Sequence, residues 1–250
     1  MQGFTGGFSL HIKPGDLVLE VGSGHNPHMR SDVLLDFFEV DDKVDGHRGG
    51  TELTIDRPFV KSDVCKMPFK DKAFDYVVAI FLLEHIDDVA KAIKEIQRVG
   101  KRGFIKLPTE FNEYLHPSKE HRWFCNLYGD TFVFKEKPKG WKSPFGGLFH
   151  AMWRSDREYF WFYQHHQALY NFSHEWEGKI KFRVEKYSPP DFSVLNAEHF
   201  TRKNSRGWKE LIPHSVQVRV GKSDIYPKFK SLLGQTYRTR KIDIKELLKE

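Results

Sequence analysis

A chain of 250 residues can bury a sizeable core, and its 39% apolar content sets it among globular proteins rather than disordered ones. A formal charge of +6 permits contact with phosphates without requiring it, and an unspecialised basic surface is the simpler reading. The longest uninterrupted apolar run, Tyr76 to Leu83, falls far short of the roughly 20 residues that a bilayer span needs.

Met1 to Leu10 has neither a basic start nor a long apolar stretch, so no signal peptide is expected. The only cysteines, Cys65 and Cys125, lie well apart and without metal-ligand spacing. That usage fits a reducing, cytoplasmic setting with both thiols as packing residues, and no metal site is expected. Aromatics reach 15%, with 22 Phe, and crowd into the second half of the chain.

In chain order, Lys13-Pro14-Gly15-Asp16 is a turn signal before a short apolar run, Leu17-Val18-Leu19, which reaches Glu20 and breaks at Gly22 and Gly24. A second run, Val33-Leu34-Leu35, ends on Asp36. Short continuous apolar runs closed by glycine or acid read as buried parallel strands. Between them, Pro27 leaves room for little more than one helical turn, so His25 and Asn26 are expected to fill the gap by hydrogen bonding, with Asp56 or Arg57 as alternatives. Phe37 to Arg57, acidic and then glycine-rich, reads as a loop with at most one short helix. Phe59–Lys61 is predicted as a third strand delivering Asp63, and Phe74–Ile80 as a fourth.

Asp87-Asp88 are N-cap residues for a helix predicted over Val89–Val99, whose Val89, Ile93, Ile96 and Val99 share one face. Gly100 stops it, and Gly103–Leu107 is a fifth strand ended by Pro108. This alternation predicts an α/β, Rossmann-like doubly wound sheet, mostly parallel with a final antiparallel strand. After Pro108, Trp123–Leu127 and Thr131–Lys135 bracket Tyr128-Gly129-Asp130 as a hairpin. Residues 145–172 are dense in aromatics and predicted mostly helical. Lys179–Tyr187 and Ser215–Val220 alternate and are expected to complete the sheet as its last antiparallel pair, with peripheral helices from Tyr226 onward. The expected organisation is a cofactor-binding core over 1–108, an aromatic-rich insertion after the fifth strand over 109–175 for acceptor recognition or as a lid, and final strands and helices over 176–250.

Asp63, Met67-Pro68-Phe69, Phe74-Asp75-Tyr76-Val77 and Leu83-Glu84-His85 follow the ExGxG of Glu20, Gly22 and Gly24 in a fixed order. In that order they resemble the class I S-adenosylmethionine-dependent methyltransferases, in their small-molecule branch, over about Leu17 to Pro108. The glycines let the backbone turn tightly and approach a cofactor closely. The resemblance implies S-adenosylmethionine as cofactor. Glu20, Gly22, Ser23 and Gly24 would hold the loop and the cofactor's amino-acid end, and Asp36 would accept the ribose hydroxyls. Asp63 would take the adenine amino group, with the Val64 N–H facing the ring and Phe81 lining the adenosine or methyl pocket. For His85 it implies support of a strand-to-helix junction.

The fourth strand ends in Ala79-Ile80-Phe81-Leu82, without the (N/D)PP(Y/F) signature of amino-group methylation or a Pro-Cys pair. Elimination leaves an oxygen acceptor, and with the resemblance the preferred reading is a small molecule or glycan-type metabolite. RNA is the second reading, favoured by charge and aromatics, and a non-catalytic binding or scaffolding module the third. Acceptor contacts are expected from Thr109 to Arg122, beyond the fifth strand, with His116 and His121 as general-base candidates ahead of His150, His165 and His166. Adjacent His165 and His166 would diverge on a helix and are not read as metal ligands. The aromatic block reads as a lid, an acceptor-binding wall or a membrane-surface helix.

Overall fold

In a computed structural model the structure describes residues 10–38, 53–190 and 242–249. The strand expected over 215–220, the loop residues 39–50 and most of the tail from 226 lie outside the described residues.

The main sheet is built from β1 (Val18–Val21), β2 (Val33–Asp36), β3 (Phe59–Lys61), β4 (Phe74–Ile80) and β5 (Gly100–Pro108). Its order is β3-β2-β1-β4-β5 followed by β8 (Asn171–Glu177), with every pair parallel except β5·β8. All four residues of β1 and of β2 are buried. Their continuous apolar runs are what a strand covered on both faces requires. The chain order reverses direction between β1 and β4, and the crevice beyond the carboxyl ends of those strands is where an open α/β sheet binds ligands.

α1 (Val89–Val99) crosses from β4 to β5. The side chain of its N-cap Asp88 accepts from Lys91 N, and Val89, Ala92, Ile93, Ile96 and Val99 are buried. Gly100 and Gly103 open β5, and both approaches need glycine. A Cβ on Gly103 would lie 2.2 Å from the Val77 carbonyl, and Trp176 of β8 packs across both glycines.

The final antiparallel strand is β8, and this corrects the expected position. Residues 171–172 are strand where the aromatic block was expected to stay helical, and β8 spans position 175, where insertion and C-terminal strands were divided. Phe172, His174 and Trp176 alternate along it with Ser173 and Glu175, the period of two that a strand imposes. The expected strand at Lys179–Tyr187 forms as β9 (Lys181–Glu185), but it pairs in parallel with β7 in a second sheet of three strands, β6 (Trp123–Tyr128), β7 (Thr131–Glu136) and β9. Among the described residues no helix is long and apolar enough to cross a membrane. Residues 242–249, with α6 (Ile244–Leu247), return to the core, where Phe69 bridges Leu248 and Lys249 N donates to Pro68 O.

Between β5 and β8 lie α2 (Glu110–Leu115), the β6–β7 hairpin, and α3 (Leu148–Ser155), α4 (Arg157–His165) and α5 (Gln167–Tyr170). Leu115, Leu169 and Tyr170 form a small core of their own, with Phe111, Phe149 and Tyr163 packed on it. Trp153, Tyr163 and Gln167 of the aromatic block line one cavity with Phe81, Lys106 and Pro108 at the carboxyl ends of β4 and β5.

Candidate active site

The glycine loop sits where β1 ends. Gly22 (φ +66) and Gly24 (φ +55) both take the left-handed conformation that side chains disfavour. A Cβ on Gly22 would also lie 2.7 Å from Leu82 Cδ1. Gly22→Ala is therefore expected to cost ~1–2 kcal/mol of stability from backbone strain alone. Chemical denaturation reads this directly, and an unchanged midpoint would refute the strain argument.

Buried carboxylates tie the loop down in place of a helix. Glu20 Oε2 accepts from His28 N (2.7 Å) and Ser31 Oγ (2.6 Å). Asp36 accepts from Gly24 N (3.0 Å) and Phe38 N (3.2 Å), which fixes the glycine turn to the end of β2. Arg57, raised as an alternative from the sequence, braces the short connection by donating to His28 O (2.8 Å) and Ser31 O (2.6 Å). His25 contributes its carbonyl, which accepts from Thr54 Oγ1 (2.8 Å).

Ser23 is buried, and its Oγ has no hydrogen-bond partner at the mouth of this turn. A buried polar atom left unmatched is the mark expected of a loop shaped for a ligand. Asp63 caps the single 3-10 turn Val64–Lys66 by accepting from Cys65 N (2.8 Å), and its side chain lies at the surface with Val64 buried behind it. The Asp63 carboxylate has more acceptor positions than this contact uses. The residues present fit S-adenosylmethionine. Phe37 was missed from the sequence and stands 61% exposed just past Asp36, an aromatic face beside the same crevice.

Phe81 joins this crevice to a second space. It takes φ 51 with a full side chain, a strained backbone that leaves its ring 37% exposed just beyond β4. The ring lines a cavity of ≈ 250 Å³, walled by Lys106 and Pro108 of β5, Asn112 of α2, Trp153, Tyr163 and Gln167 of the cap, and the cluster Glu84, His85 and His121. Phe81 and Leu82 are adjacent, so the glycine loop and this cavity meet across them. Lys106 was also missed, although a lysine inside the apolar run Phe104-Ile105-Lys106-Leu107 is a signal. Its Nζ sits 5.2 Å from the Phe81 ring centroid, and burial lowers its pKa to about 8.

His121 belongs to this wall. Its Nδ1 is hydrogen-bonded to Glu113 Oε2 at 2.5 Å, and Glu113 is held from its other oxygen by Lys137 and Ser118 N. The Arg122 N–H donates to Glu84 O (2.7 Å), which sets His121 against the Leu83–His85 turn, with its ring edge-on to His85 at 4.7 Å. Burial pulls the His121 pKa down, but the hydrogen bond to Glu113 and the charges of Glu84 and Glu113 outweigh it, and the net shift is upward. Glu84 is 1% exposed, and burial raises its carboxyl to about 7 against the opposing pull of His121.

His116 is placed elsewhere. It shares a hydrogen bond of 3.0 Å with the Tyr159 hydroxyl, among the rings of Tyr163, Tyr170 and His150, and does not line the cavity. Burial, with His150 adding to it, lowers its pKa to about 4. His150, His165 and His166 do not line the cavity either.

Residues 19–105 match the family described as "Methyltransferase domain". Over 107 residues the chain is 32% identical to a demethylmenaquinone methyltransferase of Renibacterium salmoninarum, covering 42% of this chain and 44% of that one. It is 37% identical over 105 residues to cycloartenol-C-24-methyltransferase 1 of Oryza sativa, covering 38% and 30% respectively. A solved SAM-dependent methyltransferase from Aquifex aeolicus is 22% identical, with a TM-score of 0.29 over 39% of this chain and 59% of that one. The chain spans less than half the length of the two curated relatives. The match to the methyltransferase domain thus falls on residues 19–105, the stretch that carries the ordered motifs.

Proposed function

We propose that this protein transfers a methyl group from S-adenosylmethionine to an oxygen of a small hydroxyl-bearing molecule, glycan-type metabolites included, held in the cavity beside Phe81. The observation that carries the reading is that a glycine loop with an unmatched buried hydroxyl, Ser23 Oγ, packs on Leu82, whose neighbour Phe81 lines a cavity that also holds Glu84, His85, Lys106 and His121. The two curated relatives carry quinone and sterol names, which supports a small molecule as the acceptor class.

Bound S-adenosylmethionine would supply the methyl group on a positively charged sulfur. Everything else falls to the chain. Glu20, through Ser31 and His28, and Asp36, through Gly24, keep the loop in the conformation that receives the amino-acid end and ribose. Asp63 and the Val64 N–H would hold the adenine edge. The cap helices keep water from the reacting atoms and fix the acceptor for an in-line approach. His121, oriented through Nδ1 by Glu113, presents Nε2 to take the proton of the hydroxyl. Buried among tyrosines, His116 serves packing of the cap.

Calorimetry of the whole chain with S-adenosylmethionine tests the reading. Saturable binding is expected, and Asp63→Ala should weaken it roughly 10- to 100-fold, the value of a hydrogen bond to a charged acceptor. A folded protein that gives no heat at millimolar cofactor overturns it. Asp63 is the cleaner position to vary, because Asp36 also anchors the glycine turn.

A further inference from the structure

We propose that Glu84, His85 and His121 form a binding site for a divalent transition-metal ion in the wall of the acceptor cavity. One ligand atom from each lies within 4.8 Å of the other two. Two imidazoles and a carboxylate facing an open space form the donor set that suits zinc or ferrous iron, with positions left for water or an added ligand. Magnesium and calcium, which prefer all-oxygen shells, fit it poorly.

Three further observations support the site. First, Glu113 occupies Nδ1 of His121, which leaves Nε2 as the nitrogen to bind an ion, and Lys137 pins Glu113 in turn. A carboxylate behind a histidine ligand fixes the ring and raises its basicity. Second, the segments that carry these side chains are tied together: Glu84 and His85 share one turn, and the Arg122 N–H fastens the chain next to His121 onto it. Third, among the described residues Glu84 lacks the lysine that each neighbouring buried carboxylate has. Glu110 and Glu113 are each paired with a lysine, Lys135 and Lys137. Glu84 is as deeply buried, yet its Oε2 has no hydrogen bond and it makes no ion pair with a described lysine or arginine. An ion bound between Glu84 and the two imidazoles would engage that unmatched oxygen.

Binding of the ion stands apart from the methyl-transfer reading, but its consequence rests on that reading. The ion takes the Nε2 lone pair that would receive the acceptor proton, so the loaded form is the one in which the base is withdrawn. The site is thereby an inhibitory one.

The test uses the whole chain, stripped with a chelator and then titrated with Zn²⁺ by calorimetry and with Co²⁺ by visible absorption. One equivalent of each is expected, with cobalt d–d bands of a low-coordinate nitrogen–oxygen site. Glu84→Gln and His121→Ala should abolish these bands, and Glu113→Gln should weaken binding about 10- to 100-fold. Absence of stoichiometric binding by the parent chain overturns the proposal without recourse to any variant. So does binding that survives in both ligand variants, once circular dichroism shows them folded. A chain that binds Zn²⁺ but not S-adenosylmethionine keeps the metal site and loses the methyl-transfer reading, and the reverse result separates them the other way.

Discussion

Replacing His121 by alanine in chelator-treated protein is expected to slow methyl transfer by ~10²–10⁴-fold, the usual worth of a positioned general base. Affinity for S-adenosylmethionine should stay at the parent value, because His121 lines the cavity and its ring contacts are to Glu113 and His85. Glu113→Gln should lower the rate by less. It keeps a side chain behind Nδ1 but loses the negative charge that stabilises the imidazolium once the proton has moved. His116→Ala offers the contrast, since it removes a ring from the aromatic cluster under the cap and should act on stability more than on rate. The measurement is S-adenosylhomocysteine released at saturating cofactor in the presence of pooled water-soluble metabolites. If His121→Ala turns over at the parent rate, His121 is not on the proton's path.

The sheet was legible because its strands are buried on both faces. Val33–Asp36, Phe59–Lys61, Phe74–Ile80 and the helix Val89–Val99 have the bounds that their apolar runs, glycines and caps imply. Local chemistry decides such elements. The last strands were not legible in the same way. Phe172, His174 and Trp176 carry the period of a strand, but they follow a run of aromatic helices, and aromatic density says nothing about period. The parallel pairing of Lys181–Glu185 with β7 depends on a partner some 50 residues away, which no local pattern encodes. The site divides similarly. The glycine loop, Glu20 and Asp36 lie within one short stretch of the chain and could be read from it. The wall of the cavity joins Glu84 and His85 to His121 through a backbone bond from Arg122 to Glu84, so those side chains could be named singly but not as a group.

The largest expected effect on stability comes from Lys135. Its Nζ lies 2.8 and 3.1 Å from the two oxygens of Glu110, the two side chains are only 7% and 6% exposed, and Asn126 Nδ2 donates to the same carboxylate at 2.7 Å. Lys135→Ala removes the cation and leaves the carboxylate buried, which is expected to cost ~3–5 kcal/mol. Against a total stability of roughly 5–15 kcal/mol this takes much of the margin. The cost comes from the stranded charge rather than from the lost attraction, so Glu110→Gln combined with Lys135→Met should recover most of it. Urea unfolding of the parent, the single variant and the double variant distinguishes the two. The same pair ties α2 to β7, and α2 carries Asn112 of the cavity wall and Glu113 behind His121. Loosening it should therefore loosen the orientation of His121, and the single variant should lose activity at temperatures where it is still folded. A Lys135→Ala protein as stable as the parent would mean that water reaches Glu110 once the lysine is gone, and the anchoring of Glu113 would then have to come from Lys137 and Ser118 alone.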